Sequence, residues 1–281
     1  MGDGKVARWA AERLAGDANA QQPFFLAAGF YRPHIPLYAP RPYFALYPVD
    51  STVVPEVPAD DLSDLGSAAI ALCHSIDTAG LHKNVVRHGQ WKDAVASYLA
   101  CISFVDAQIG VLLDALDRGP YADNTVVVLW SDHGWHLGEK EHWGKTTGWE
   151  RATRVRLVIV PAKTDSAKYK IGCRCKQQVG VIDLFPTLID LCDLAAKPEL
   201  DGVSLVPQLS EPGVDADRFV VTTVDEGIFT VRDDRWRLIR YADGSVELYD
   251  HQNDPHEWIN LADDGAHAVV RERLARMLPD G

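Results

Sequence analysis

Several features that would place a chain in a special class are missing from this sequence. No apolar run approaches the roughly 20 residues that a membrane-spanning helix needs, so we expect no transmembrane segment. The first 22 residues contain no basic segment followed by an apolar one, which predicts no signal peptide and leaves the compartment open. Internal repeats and low-complexity tracts are also missing, so the composition argues against fibrous and disordered classes.

Paired cysteine motifs are missing as well. None of the 5 cysteines forms a C-x-x-C pair, so the sequence indicates neither a zinc knuckle nor a disulfide framework. Cys101 and Cys192 lie on apolar faces of predicted helices, where we expect buried, unreactive thiols. Cys173 and Cys175 are predicted to lie in a surface loop.

Basic residues are scarce relative to acidic ones. The chain has 28 lysines and arginines but 40 aspartates and glutamates, which gives a net charge of −12. Nonspecific binding to nucleic acid is therefore not expected, and an anionic substrate would need positive charge concentrated in one cleft. Hydrophobic residues make up 47% of the 281 residues and charged residues 24%, as in ordinary globular proteins.

The apolar pattern predicts helices and strands in alternation over most of the chain. Predicted helices cover residues 5–16, 91–117 and 183–192, and predicted strands cover residues 24–30, 125–130 and 157–160. Seven prolines between residues 31 and 58 indicate a stiff loop. This order favours a doubly wound α/β domain with a parallel sheet, which we expect to span residues 1–212.

After residue 212 the pattern changes to short strands. Four apolar segments at 219–224, 229–232, 236–241 and 246–249 predict an antiparallel meander, with tight turns at Asp233-Asp234 and Asp243-Gly244. A terminal helix over 267–278 should cover one face of this sheet. We therefore expect a small C-terminal α+β subdomain at residues 213–281.

The stretch Ser131-Asp132-His133-Gly134-Trp135 follows directly after a predicted strand. Ligands bind at the carboxyl ends of strands in open α/β sheets, and a carboxylate beside an imidazole can bind one divalent cation. Lys145 follows a short loop later and is suited to hold an anionic ester. A plain Asp-His-Gly turn and a solvated surface lysine are the alternatives.

A second candidate stretch, Arg32-Pro33-His34-Ile35-Pro36, also follows a predicted strand. His34 lies between prolines, which restrict its backbone, and a structural role is the alternative to a functional one. If the two strands lie in one sheet, their ends open on the same side. His34 is then expected to share a cleft with Asp132, His133 and Lys145.

These stretches resemble the sulfatase family, and within it the branch of iduronate 2-sulfatase and choline sulfatase. The resemblance spans nearly the whole chain and includes a closing segment near the C-terminus. Its carriers are Pro23-Phe24-Phe25-Leu26, Arg32-Pro33-His34-Ile35-Pro36, Ser131-Asp132-His133-Gly134-Trp135, Leu137-Gly138-Glu139, Trp143-Gly144-Lys145, Glu247-Leu248-Tyr249-Asp250, Asp254-Pro255 and Glu257-Trp258-Ile259-Asn260-Leu261.

The resemblance implies an alkaline-phosphatase-like fold, a mixed sheet sandwiched by helices, with a calcium ion and a formylglycine nucleophile made from Cys or Ser. By this match, Asp132 and His133 are metal ligands, and Lys145 and His34 contact the sulfate and assist catalysis. Trp135 lines the substrate pocket. The implied substrate is a sulfated saccharide or a small organic sulfate ester.

The sequence departs from the family pattern at the nucleophile. No Cys or Ser is followed by x-Pro-x-Arg, and no pair of adjacent acidic residues follows an apolar strand. Calcium normally takes about six to eight oxygen ligands, so we expect it to be weakly held or absent here. A noncatalytic remnant that binds an anion or a partner, and a phosphatase or phosphodiesterase of the same superfamily, are the alternatives. The sequence leaves the oligomeric state open.

Overall fold

The structure, a computed structural model, describes residues 1–16, 22–75, 80–214 and 217–279. Helices and strands follow in the order α1 (Gly2–Ala15), α2 (Arg41–Phe44), α3 (Ser67–Cys73), α4 (His82–Arg87), α5 (Trp91–Arg118), β1 (Val127–Trp130), β2 (His136–Leu137), β3 (Trp143–Gly144), α6 (Glu150–Thr153), β4 (Leu157–Val160), α7 (Leu184–Leu191), α8 (Val206–Ser210), β5 (Val220–Asp225), β6 (Ile228–Arg232), β7 (Trp236–Arg240), β8 (Val246–Asp250) and α9 (Ala268–Ala275). They form two compact units. The first contains Met1–Pro55, Thr78–Thr125 and Ala162–Thr164, and the second contains the other residues.

The first unit is built around the long helix α5. This helix packs against α1 and α2 and buries Val95, Ala96, Ala100, Cys101 and Phe104. The predicted burial of the Cys101 thiol is confirmed. By length and composition alone, α5 is long and apolar enough to cross a membrane, which is weak evidence for a span, and the expected lack of a transmembrane segment stays a prediction.

The predicted strand over residues 24–30 is wrong. This segment is extended, yet it forms no strand in the described part of the chain, and Phe25 is 81% exposed. Phe24 packs its ring edge-on against Tyr121 at a centroid distance of 4.9 Å. An apolar run becomes a strand only where a neighbouring backbone completes its hydrogen bonds, and the run itself does not specify that neighbour.

In the second unit, β1 and β4 pair with each other where the sequence predicted strands. Their pairing is antiparallel, with Leu129 opposite Val158, whereas a parallel sheet was expected. Parallel neighbours need a long crossover, and between β1 and β4 the chain forms only short elements such as α6. Cys192 was expected to be buried, but it follows the last turn of α7 and is exposed.

The C-terminal meander is confirmed, with the strand order β5-β6-β7-β8 and every pair antiparallel. Alternate residues of each strand point to opposite sides of the sheet, and both sides are buried. One face buries Val231, Trp236, Leu238 and Leu248 together with Leu274 and Leu278 at the C-terminus, as expected for the terminal helix. The other face packs Ile239, Tyr241 and Tyr249 against Leu65, Ala69, Cys73 and Trp149. The boundary at residue 212 stays a prediction.

A carboxylate lies inside the second of these faces. Glu247 is 1% exposed, and its oxygens accept hydrogen bonds from Trp149 Nε1, Tyr241 Oη and Tyr249 Oη, each 2.8 Å long. Burial raises the pKa of Glu247 from 4.5 to about 7, although the three donors and Lys140 act in the opposite direction. The protonated form is therefore favoured by folding.

This shift predicts a pH dependence of stability. Between pH 4.5 and about 7 the folded state keeps a proton on Glu247 that the unfolded state has released, so its stabilising effect, full below pH 4.5, is lost as the pH rises to 7. We compare the free energy of unfolding of Glu247→Gln with that of wild type at two pH values. The difference should shift in favour of the variant by roughly 2–4 kcal/mol between pH 4.5 and pH 8. Urea unfolding at both pH values measures this, with the exposed Glu226→Gln as the unaffected control. Parallel pH profiles for wild type and Glu247→Gln would contradict it.

Candidate active site

The loop after β1 is held against α6 by backbone contacts. The amide nitrogen of Gly134 donates to the carbonyl oxygen of Ala152 over 2.6 Å. A Cβ atom at Gly134 would lie 2.0 Å from the carbonyl oxygen of Arg151, so only glycine permits this approach. Asp132 and His133 precede this anchor, and their side chains are therefore presented at the end of β1.

The structure brings Asp132, His133 and Lys145 together. Nδ1 of His133 lies 2.7 Å from the carbonyl oxygen of Gly134, which only accepts, so Nδ1 carries a proton. Nε2 of His133 lies 3.1 Å from Nζ of Lys145 and 3.5 Å from Oδ2 of Asp132. Nε2 of His133 therefore lies between the ammonium group of Lys145 and the carboxylate of Asp132.

Trp135 and His34 are the other two residues predicted for the site. Trp135 is partly buried, and its ring lies 6.4 Å from the ring of His133. His34 belongs to the first unit, where Nδ1 lies 2.7 Å from the carbonyl oxygen of Ile35 and the ring lies 4.7 Å from that of Tyr31. Its expected place in one cleft with Lys145 stays a prediction.

Two buried histidines fix the loop that carries Lys145. His142 places Nε2 3.0 Å from the carbonyl oxygen of Lys145 and Nδ1 3.0 Å from that of Cys73. Both partners only accept, so both contacts are hydrogen bonds when the imidazole carries two protons. His136 lies 3.1 Å from the carbonyl oxygen of Glu139 and 2.8 Å from the hydroxyl of Thr147. Burial, followed by the charge of His142, lowers the pKa of His136 to about 3, which keeps it neutral.

Charged side chains anchor the same loop at two further points. Lys140 is buried, and its Nζ lies 2.7 Å from Oδ1 of Asp61, so this aspartate stabilises the loop. Arg237 in β7 donates to the carbonyl oxygen of Gly148 at 2.9 Å and to Oε2 of Glu150 at 2.5 Å. The meander thereby fixes the backbone a few residues after Lys145.

Sequence reasoning assigned no role to these anchoring residues. His136 and His142 lie directly beside segments that carried the resemblance, which was the one available signal. Arg237 is separated by 89 residues from its partner Gly148, and no local pattern links the two. The hairpin turn at Asp233 was identified correctly, since its Oδ1 accepts from the amides of Arg235 and Trp236.

The described residues do not by themselves fit a calcium ion. Asp132 and His133 supply one carboxylate and one imidazole, whereas calcium takes about six to eight oxygen ligands. Within the ranges that the structure describes, no group of three or more His, Cys, Asp or Glu side chains could hold a metal ion. Further oxygen ligands would have to come from elsewhere.

Structural comparison identifies the fold. The phosphonate monoester hydrolase of Silicibacter pomeroyi superposes with a TM-score of 0.78 at 26% identity, covering 97% of this chain and 58% of that one. A protein solved in complex with its substrate D-glucosamine-2-N,6-O-disulfate gives a TM-score of 0.75 at 20% identity, covering 98% and 68%. The expected alkaline-phosphatase-like fold, with mixed helices and sheets, is confirmed.

Sequence comparison identifies the family. A family model described as Sulfatase matches residues 3–194, and one described as N-sulphoglucosamine sulphohydrolase, C-terminal, matches residues 138–280. A sulfatase of Formosa agariphila is 37% identical over 279 residues, covering 99% of this chain and 54% of that protein. Human iduronate 2-sulfatase is 31% identical over 223 residues, covering 69% and 40%. The chain thus spans about half the length of these relatives and corresponds to their C-terminal part. It belongs to the sulfatase family.

Proposed function

We propose that this chain supplies part of the active site of a sulfate-ester hydrolase that acts on a sulfated saccharide or a small organic sulfate. The observation that carries the proposal is the contact between Lys145 and His133 beside Asp132, at the end of a strand in a sulfatase-type domain. This contact places the positive charge of Lys145 next to two potential cation ligands, Asp132 and His133. An anionic ester needs such local charge in a protein with a net charge of −12.

Each site residue has a distinct proposed role. Lys145 binds an oxygen of the sulfate group and stabilises charge that develops on the ester, and His34 contacts the same group. Trp135 lines the pocket that receives the organic part of the substrate. Asp132 and His133 contribute to a cation site that is complete only with oxygen ligands from other residues. No Cys or Ser of this sequence has the x-Pro-x-Arg context, so the formylglycine nucleophile also comes from outside these 281 residues.

Hydrolysis of a phosphate or phosphonate ester is the second candidate. It is favoured by the likeness to phosphonate monoester hydrolases, one of which is 26% identical in sequence. The substrate of a related protein, D-glucosamine-2-N,6-O-disulfate, supports a sulfated sugar instead. The third candidate is a noncatalytic protein that binds an anion through Lys145. Its support is the missing nucleophile motif.

A fusion distinguishes the three candidates. The N-terminal part of the Formosa agariphila sulfatase, which precedes the region matched here, would be joined to this chain and assayed with 4-nitrophenyl sulfate, 4-nitrophenyl phosphate and a phenylphosphonate ester. We expect sulfate hydrolysis to be the fastest. Faster turnover of either phosphorus ester would favour the second candidate, and a folded fusion that hydrolyses none of them would favour the third.

Asp132→Ala in this fusion tests the role of the site. We expect at least about a 100-fold loss of sulfate hydrolysis, because the cation site would lose a carboxylate ligand, and loss of one electrostatic contact to a transition state costs about that much. Asp123→Ala is the matched control, because Asp123 is similarly exposed and lies in the other unit. Full activity in Asp132→Ala would remove Asp132 from the proposed machinery. Circular dichroism confirms that each variant is folded.

A further inference from the structure

Two free cysteines share one short loop in the second unit. Cys173 and Cys175 are separated by a single residue, and every residue from 171 to 176 is exposed, which confirms the predicted surface loop. Of the other three cysteines, two are buried, and Cys192 is exposed but has no second cysteine near it in the sequence. A reaction that needs two accessible thiols in one segment therefore fits this loop.

The two ends of the loop are fixed, although its middle is open to solvent. At one end, the amide of Lys170 donates to the carbonyl oxygen of Leu209 over 2.9 Å. At the other end, Nε2 of Gln208 donates to Oε1 of Gln177 over 3.0 Å. Between these points Gly172 turns the chain with a φ of +72°. The folded structure thus presents both thiols together on a short anchored segment.

The spacing of the two cysteines allows a disulfide. Cα atoms two residues apart are separated by at most about 7 Å, and disulfides join Cα atoms that are about 4.4–6.8 Å apart. Neither cysteine belongs to a helix or strand, so the exposed backbone can adjust without breaking a regular element. Closing so short a loop also costs little chain entropy.

The same loop is positively charged in a chain whose net charge is −12. Between residues 166 and 182 the sequence has four basic residues and no acidic one. In the described part of the chain only one of the four, Lys168, has a carboxylate partner. Lys170, Arg174 and Lys176, which lie beside or between the two cysteines, form no ion pair there. Such uncompensated charge attracts anionic reagents and raises their local concentration.

We propose that Cys173 and Cys175 form a dithiol site that an anionic disulfide of the glutathione type oxidises to an internal disulfide. The thiolate of one cysteine attacks a sulfur of the small disulfide, whose S–S bond breaks, and one glutathione thiolate leaves. The thiolate of the second cysteine attacks the protein sulfur of this mixed disulfide, forms the internal S–S bond and releases the second glutathione thiolate. Two protein thiols are oxidised, one small disulfide is reduced, and the two protons of the protein thiols pass to the leaving thiolates. The site lies outside the proposed active site and stands whether or not the chain hydrolyses esters.

Peptide mapping detects the internal disulfide directly. Trypsin cleaves after Arg174, so residues 171–174 and 175–176 are released as separate peptides unless a disulfide joins them. The purified chain would be incubated with excess oxidised glutathione, remaining thiols would be alkylated, and the digest would be compared with and without reductant. We expect the two peptides to be linked only without reductant. A wild-type chain that keeps glutathione on both cysteines would overturn the inference.

Serine variants identify the two sulfur atoms that react. In Cys192→Ser the two linked peptides should still appear, and the mass of the intact chain should fall by two hydrogens. Cys173→Ser and Cys175→Ser should each stop at the mixed disulfide with glutathione, because the second thiol is missing. All three side chains are exposed, so these substitutions are expected to leave the fold intact. A disulfide that joins Cys192 to either of the other two would contradict the proposed pairing.

The role of the basic side chains is tested by changing the charge of the reagent. Lys170→Gln combined with Lys176→Gln should slow the reaction with oxidised glutathione by about tenfold, because electrostatic attraction raises association rates by factors of that order. The reaction with uncharged 2-hydroxyethyl disulfide should keep its rate. Lys83→Gln combined with Lys197→Gln removes the same charge from two other exposed positions and should change neither rate. Equal slowing with both reagents, or none with either, would overturn the assignment of an anionic disulfide.

Discussion

Replacing Gly134 with alanine is expected to destabilise the second unit by about 3 kcal/mol and to separate His133 from Lys145. The new Cβ would lie 2.0 Å from the carbonyl oxygen of Arg151, far closer than Cβ atoms in folded proteins approach, and 3.0 Å from that of Arg154, which is a tight contact. Both contacts are backbone atoms, so no flexible side chain can move aside. The loop after β1 would have to leave α6, and the hydrogen bond to Ala152 would be lost.

A second glycine substitution serves as a control, and its expected effect on stability has the opposite sign. Gly110 lies within α5, and a Cβ there would meet no atom within 4 Å. Gly110→Ala should therefore be neutral or stabilising by roughly 0.5–1 kcal/mol, since alanine loses less backbone entropy in a helix. Urea unfolding measures both variants, and the ¹⁵N signal of Nε2 in His133 reports the site. Equal stability of Gly134→Ala and wild type would show that the close approach to α6 is not required.

The C-terminal meander was predictable because residues that are neighbours in the sequence determine its strands and turns. Strands β7 and β8 are short apolar segments, and the turn between them contains Asp243-Gly244, where Gly244 adopts a φ of +84°. Glycine adopts that conformation without a steric penalty, so turn, strand length and register are all specified by adjacent residues. The helix α5 was predictable for a similar reason, since apolar residues recur at helical spacing along one continuous segment.

What could not be predicted depends on partners far along the chain. Residues 24–30 are as apolar as β4, yet only β4 has a neighbouring strand in the described structure, and apolarity does not encode the neighbour. At the candidate site, the residue types indicated the chemistry of Asp132, His133 and Lys145. The hydrogen bond from Lys145 to His133 depends on a loop whose anchors, such as Arg237, lie some 90 residues away.

Removing the charge of Arg237 is expected to have the largest effect on stability. This guanidinium is 2% exposed and lies 2.7 Å from Oε1 of Glu257, 2.5 Å from Oε2 of Glu150 and 2.9 Å from the carbonyl oxygen of Gly148. The pKa of Glu257 is lowered to about 2 by Arg237 and His251 against the effect of burial, so this carboxylate stays charged when buried. We expect Arg237→Met to lower the free energy of unfolding by about 3–5 kcal/mol, because it leaves the buried carboxylate of Glu257 without its guanidinium partner.

The loss should come from the unpaired carboxylate more than from the missing arginine contacts. Adding Glu257→Gln to Arg237→Met removes that buried charge, so the double variant should recover part of the lost stability at pH 7. Arg276→Met, which breaks an exposed pair with Glu272, should cost no more than about 1 kcal/mol. Guanidinium unfolding compares the three variants. A double variant less stable than Arg237→Met would instead mean that Glu257 acts mainly through its hydrogen bonds with His251 and with the amide of Glu150. Glu150 lies two residues after Gly148, whose carbonyl oxygen Arg237 binds, so Glu257 would then help to hold the backbone that follows Lys145.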